Sequence, residues 1–412
     1  MMNHTQARSG RIHAGAALAA LALLSAASPR LLADGTRLPS QDDFVIARGY
    51  ADVATADRPS AVYYNPAGLA QIGTADFEDG FYVLTPSTSY VGPTGASVSE
   101  TKQSFLLPYV FMAAPVARLN GEHVTLGFGV YSPFGLSSEW PDDSGFRTLA
   151  SDNRVRYITS AVSVGVPVFP GFEVGASVEY SKQHVDLNRG LGYVPGDRFH
   201  FAGDGSAFSY GIGARWQPVP EHSFGVNFQS KANFGIGGTA NLDPLGISFA
   251  GHADWVYPED VSVGYSFRPT PAWNLEFDYD WTNWRRLTTV VLYSPTFTPT
   301  PLPFNWQASA YYNLGGTYYW KNGWNLSAGV SYSTNSVPTA SFNPSVPDNS
   351  RYLDNVGVGY QFGHWEIDSV VQVSPSESRT ITGTAPSPAG ESANGTYTSS
   401  LWAIGFSLRY RY

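Results

Sequence analysis

The sequence predicts an all-β chain: a transmembrane antiparallel β-barrel of fourteen strands with an N-terminal plug in its lumen. Three observations carry this reading. Hydrophobic residues recur with period two from about residue 77 to the end. The connections between these segments alternate strictly between long and short. The polar face of each segment is made of glycine, serine and acids, whereas the apolar face carries tryptophan and tyrosine near the strand ends. A soluble barrel buries its apolar face, whereas a membrane barrel turns that face to lipid and girdles it with aromatics at both interfaces.

The elements follow in chain order. Arg8 and Arg11 precede an apolar run from Ala14 to Ala27, too short to span a bilayer as a helix. Residues 1–33 therefore read as a signal peptide, with cleavage after Ala27 or Ala33, and we take the second. Residues 34–76 do not alternate. They are small, mixed and turn-rich, and a barrel of fourteen strands is wide enough for its lumen to be plugged. Within them "SAVYYNPAGLA" (60–70) raises a local question. Val62, Tyr63 and Tyr64 suit a strand, and Asn65-Pro66-Ala67-Gly68 suits the turn that ends one.

Residues 77–412 form the barrel. Its strands are expected at 77–90, 104–117, 123–132, 151–167, 172–187, 204–217 and 222–236. The remainder fall at 253–268, 272–287, 305–320, 324–335, 350–362, 364–376 and 396–412. "FEVGASVEYS" shows the pattern, with Phe172, Val174, Ala176, Val178 and Tyr180 on one face and Glu173, Gly175, Ser177 and Glu179 on the other. Short connections hold Asn120-Gly121, Pro170-Gly171 and Asn322-Gly323, and long ones cover 91–103, 133–150, 188–203, 237–252, 288–304, 336–349 and 377–395. Closure is required, because an open strand edge in hydrocarbon leaves backbone groups unpaired. After residue 33 no apolar run is long enough for a membrane helix.

Composition narrows the chemistry. A net charge of −9 argues against nucleic acid as a partner. With no cysteine there is neither a disulfide framework nor a thiolate metal site. The eight histidines sit in no Gly-x-Ser-x-Gly or metal-ligand spacing, and no calcium-type acidic loop occurs. We expect no enzyme activity, no cofactor and no metal.

The quoted plug segment, read on as "RGYADVATADRPSAVYYNPAGLA", resembles that of the FadL-type (OmpP1/FadL/TodX) outer-membrane transporters of hydrophobic compounds. "VYSPFGL" (130–136), "WVYPEDVSVGYSFRP" (255–269), "DYDWTNW" (278–284) and "PSVPDNSRYLDNVGVGYQF" (344–362) continue the resemblance in order, as does the aromatic C-terminal strand ending at Tyr412. The resemblance implies an N-terminal hatch whose signature is Asn65, Pro66 and Ala67. It also implies a passive route, with capture of a hydrophobic small molecule by the outward loops, a pocket in the barrel and lateral exit to membrane lipid near strand three. It further implies that the mature N-terminus, here "TRLPSQDDF" (36–44), reaches into the pocket.

Residue arithmetic bears on the exit. If Asn120-Gly121 makes a two-residue turn, Leu119 faces Glu122 and Pro108 falls opposite Pro133. Neither proline donates a ladder hydrogen bond, so Pro108, Ser132, Pro133, Phe134 and Gly135 mark the expected opening. Fatty-acid carriers of this kind place basic groups to meet a carboxylate, and the candidates here are Lys182, His184, Arg189 and the pair Arg285-Arg286. The inward acids Glu173, Glu179, Glu276, Asp278, Asp280, Glu366 and Asp368 lie away from the pocket or bond to the plug. The proline-rich loop 292–304 reads as a stiff apolar lip. The chain is expected to work as a monomer. The alternative function is a general porin for small polar solutes, favoured by the acidic inward faces and opposed by the hatch.

Overall fold

The computed structural model describes residues 34–119, 121–243, 245–295 and 300–412. The expected signal peptide and Asn120 lie outside them. Fourteen antiparallel strands close into a barrel. They are β1 Asp76–Val91, β2 Phe105–Leu119, β3 Glu122–Tyr131 continued by Gly135–Glu139, β4 Asp152–Phe169, β5 Phe172–Arg189 and β6 Arg198–Val219. β7 is His222–Gln229 with Ala232–Asp243, β8 Ile247–Tyr257 with Asp260–Thr270, and β9 Trp273–Thr282 with Thr289–Tyr293. β10 is Thr300–Pro303 with Ser309–Tyr319, followed by β11 Trp324–Ser333, β12 Arg351–Phe362, β13 Trp365–Ile381 and β14 Gly395–Arg411. The ring closes where β1 pairs with β14, from Asp76 opposite Arg411 to Val91 opposite Thr396.

The wall is inverted relative to a soluble protein. On β5 and β6, Val178 is 60% and Phe208 71% exposed, whereas Ser177, Glu179 and Ser209 are buried. Large apolar side chains left uncovered all round the ring, over polar groups paired inside, are what a lipid solvent requires. Aromatic pairs such as Trp216 with Phe224 and Trp365 with Tyr410 sit at the short-turn end of this band.

Several strands run further than their apolar alternation. The loop expected at 237–252 is a strand extension: β7 continues to Asp243 and β8 starts at Ile247. Glycine, threonine and alanine keep the pleat there after lipid contact no longer demands large residues. The first segment of β9 stops at Thr282, short of the expected 287, because Trp284–Arg286 winds into a turn of 3-10 helix before the strand resumes at Thr289. The supposed lip at 292–304 forms a β extension in which Thr289–Tyr293 pairs with Thr300–Pro303.

Inside the ring, residues 34–72 pack against the inward faces of the wall. Helix α1, Asp43–Ala47, is capped by Asp42, whose Oδ1 accepts from the Phe44 and Val45 amides. Helix α2, Ala61–Tyr64, replaces the strand suggested by Val62-Tyr63-Tyr64. Its side chains are buried on every side, so β propensity yields to packing. Outward connections join into an aromatic cluster of Tyr90, Trp140, Phe146, Phe342 and Tyr397.

Candidate functional site

Asn65 joins the two short helices of the inner segment. It ends α2 and caps the 3-10 helix Pro66–Gln71, its Oδ1 accepting from the Ala67 amide at 3.1 Å. Its Nδ2 donates to the Val53 carbonyl (2.8 Å) and to the Ala214 carbonyl of β6 (3.1 Å). Pro66 occupies the first helical position, where a missing N–H costs nothing. The approach to the wall is so close that a side chain on Gly175 or Gly213 would overlap Pro66 or Asn65.

Two buried arginines hold the rest of the segment. Arg58 lies within 3.3 Å of Asp42, 3.1 Å of Glu78, 3.2 Å of Glu366 and 2.9 Å of Asp368. Arg48 pairs with Asp52 and with Glu276 of β9. Asp278 accepts from the Asp52 and Val53 amides, and Asp280 sits 3.4 Å from Arg37. Five of the seven inward acids therefore bind the inner segment. Glu173 instead pairs with Arg215, and Glu179 accepts from Tyr131, Ser209 and Gln229, all in the wall.

Above this knot lies a cavity of about 620 Å³. It is lined by Tyr50, Tyr82, Tyr131 and Gln372, the first two joined through Gln372, which accepts from Tyr82 and donates to Tyr50. Gly35–Ser40 forms one side, so the N-terminal stretch does reach the cavity. Outward connections supply Glu100, Gln103, Val346 and Asp348. Leu84, Leu107, Leu136 and Leu353 are among the apolar residues of the remaining wall, which serines and arginines interrupt.

The wall is interrupted beside this cavity. The β2–β3 ladder stops at Val110 opposite Val130, and Phe105–Tyr109 pairs only with β1. Pro108 does not face Pro133. A bulge between Pro115 and Ala117 shifts the register by one, and the ladder ends before reaching either proline. Pro108 is exposed on the outer face, whereas Pro133 and Phe134 turn inward and are buried. Opposite β4, the three residues Ser132–Phe134 fill the span of only two, because Tyr131 pairs with Thr159 and Gly135 with Arg156. Phe134 anchors the kink on Tyr257, Tyr157 and Trp284.

The freed backbone finds another partner. Leu38 N–H donates to the Pro133 carbonyl (2.8 Å) and Gly135 N–H to the Thr36 carbonyl (3.0 Å). The Gln41 amide bonds both the N–H and the C=O of Ser132. Pro108, Ser132, Phe134 and Gly135 all line the cavity, and Pro133 borders a smaller one beside it. So do Leu106 (62% exposed) and Ile158 (53% exposed), which stand on the outer face of the ring. One cavity thus touches both faces of the wall.

The expected basic ligands lie away from this cavity. None of Lys182, His184, Arg189, Arg285 or Arg286 lines this cavity. Lys182 and His184 share the outward face of β5 with Val178 and Tyr180, and His184 meets Asp204 at 2.9 Å. Arg189 stacks over Phe199, and Arg286 pairs with Glu259 beyond the cavity. The cations that do line it are Arg37, Arg154, Arg156 and Arg351. Arg351 was missed, although its parity with the inward Leu353 and Asn355 was readable. Its Nε is buried without a hydrogen-bond partner. Burial pushes the nearby Asp348 carboxyl up to about 7, against hydrogen bonds from Ser336 and the charges of Arg351 and Arg379. Burial likewise raises Glu100 to about 7.

The inverted wall, the closed ring and the cavity under its outward connections define an outer-membrane transport barrel. The chain matches the model of the outer membrane protein transport family (OMPP1/FadL/TodX) over residues 24–412 and belongs to that family. It is 19% identical over 379 residues to a long-chain fatty acid transport protein of Escherichia coli O6:H1, covering 80% of this chain and 83% of that one. The crystal structure of a Pseudomonas aeruginosa FadL homologue superposes with a TM-score of 0.82 at 20% identity, over 92% of this chain and 99% of that one. That of the Pseudomonas putida toluene transporter TodX gives 0.69 at 17% identity, over 91% and 99%.

Proposed function

We propose that the chain is a passive outer-membrane channel that takes up hydrophobic molecules and releases them sideways between β2 and β3. Residues 34–76 act as a hatch, with Asn65, Pro66 and Ala67 as its hinge. The observation that carries this reading is the cavity shared by buried Tyr82 and Tyr131 and by outward-facing Leu106 and Ile158. The straight route down the lumen is occupied by a segment held by Arg48 and Arg58, which disfavours a general porin. Its size falls within the roughly 300–1,000 Å³ typical of sites for drug-sized ligands.

The relatives named above are transporters of a long-chain fatty acid and of toluene. A largely apolar lining that includes the buried, unbonded Nε of Arg351 favours an amphipathic carboxylate. The chain then lies along the leucines and the carboxylate meets Arg351. Movement of the Thr36–Gln41 stretch, which holds the Ser132–Gly135 kink by backbone bonds, frees the way to the gap.

The test is uptake of labelled oleate and of toluene in a Gram-negative host lacking its own fatty-acid porter. Wild type is compared with Gly135→Glu, whose new side chain meets Leu38 in the cavity. Loss of uptake from a heat-modifiable, folded barrel is the expected result. Unchanged uptake by the variant overturns the lateral route. Toluene uptake without oleate uptake keeps the route and changes the substrate.

A further inference from the structure

The outer face of β4 and β5 carries a charge pattern that uptake does not use. Along β5 the outward positions run Val178, Tyr180, Lys182, His184, and along β4 Val162, Ser160, Ile158, Arg156. The strand register sets Ile158 beside Lys182 and Arg156 beside His184. Moving toward the long-connection end, apolar residues therefore give way to cations in one step. Short turns of outer-membrane barrels are periplasmic and long loops extracellular, so this step lies at the outer-leaflet boundary.

Two acids share this face, each within hydrogen-bond distance of a histidine: Asp204 of His184 (2.9 Å) and Asp186 of His200 (3.2 Å). Arg154, one row higher, is paired with Glu139 and Asp152. Arg156 and Lys182 are exposed and, among the described residues, join no ion pair. They are diagonal neighbours on one sheet face, a spacing of roughly 7–8 Å between Cα atoms, and long side chains at that spacing converge on a single anion. On a chain of net charge −9, two unpaired cations at the lipid boundary are a local exception.

We propose that Arg156 and Lys182, flanked by His184, form a binding site for a phosphate on the headgroup of an outer-leaflet glycolipid. The acyl chains of that lipid lie on Ile158, Tyr180, Phe208 and Val178 below. Arg156 also borders the cavity, so the bound lipid flanks the β2–β3 gap. This inference rests on the outer-membrane placement of the barrel and not on the uptake reading.

Binding is measured by native mass spectrometry of the full chain in detergent, titrated with a diphosphorylated glycolipid, its dephosphorylated form, or inorganic phosphate alone. The wild type should hold the diphosphorylated lipid, and Arg156→Gln/Lys182→Gln should bind it roughly thirtyfold more weakly, about fivefold per cation. Lys182→Arg should retain binding, and Lys231→Gln, exposed between the two segments of β7, should change nothing. Equal binding by the double variant overturns the site. Equal binding of the dephosphorylated lipid overturns it without any variant, should the double variant fail to fold. Inorganic phosphate binding as tightly as the lipid would make it a free-phosphate site and overturn the lipid assignment.

Discussion

At the scale of single residues, charge placement decides ligand preference. Arg351 offers the cavity a guanidinium whose Nε is buried and unbonded. Replacing it with leucine should weaken oleate binding about tenfold or more, since a charge-assisted hydrogen bond contributes about 1.5–3 kcal/mol, and should leave toluene binding unchanged. Fluorescent fatty-acid displacement and toluene uptake check the two halves. Glu100 and Asp348 add a pH dependence of known sign. Burial raises both to about 7, so they are largely neutral at pH 6 and ionised at pH 8. Two negative charges then appear beside the cavity, and oleate affinity should fall across that window while toluene affinity stays flat. The same raised values favour the folded state at low pH, a contribution lost as the pH rises through about 7. The misplaced basic ligands were legible at this scale. The face that gives Val178 and Tyr180 to lipid gives Lys182 and His184 to it too, by parity alone. Arg351 announces its inward position through Leu353 in the same way.

At the scale of elements, the strands were readable because each buries one face and wets the other in lipid, so period two is obligatory. Kinks were not readable, because they depend on what lies across the lumen. Nothing local in "YSPFG" says that Phe134 will seat against Tyr257 and Trp284, or that Gln41, some ninety residues earlier, will take over the backbone of Ser132. The proline pair illustrates the limit. Counting from a hairpin placed Pro108 opposite Pro133, and one bulge cancelled the arithmetic, although the ladder between these two strands does end short of both prolines. Gln41→Ala removes both side-chain bonds to Ser132. Amide exchange at Ser132, Phe134 and Gly135 should quicken by an order of magnitude or more, with the barrel still heat-modifiable. Exchange that does not change there would show that the Leu38 and Gly135 backbone bonds hold the kink alone.

At the scale of the whole molecule, the inner segment is held by buried ion pairs whose removal on one side is expensive. Arg58→Ala leaves Glu78 and Asp368 in the interior without an ion-pair partner among the described residues and should cost about 3–5 kcal/mol, read as a lower midpoint in denaturant. Single-channel recording should show little current for the wild type and larger, noisier openings for this variant. A large steady wild-type current would return the porin reading to favour. The ligands of Arg58 have a further meaning in time. Glu78 lies on the first strand, Glu366 and Asp368 on the thirteenth, and Arg409 of the last strand shares Glu366. A cation that needs partners from both ends of the chain cannot be satisfied on a nascent, open sheet. Its docking is thus a clasp fastened only after the ring exists, and these most non-local of contacts belong to the slowest phase of assembly. During refolding, protease resistance of residues 34–72 should appear together with heat-modifiability, never before it.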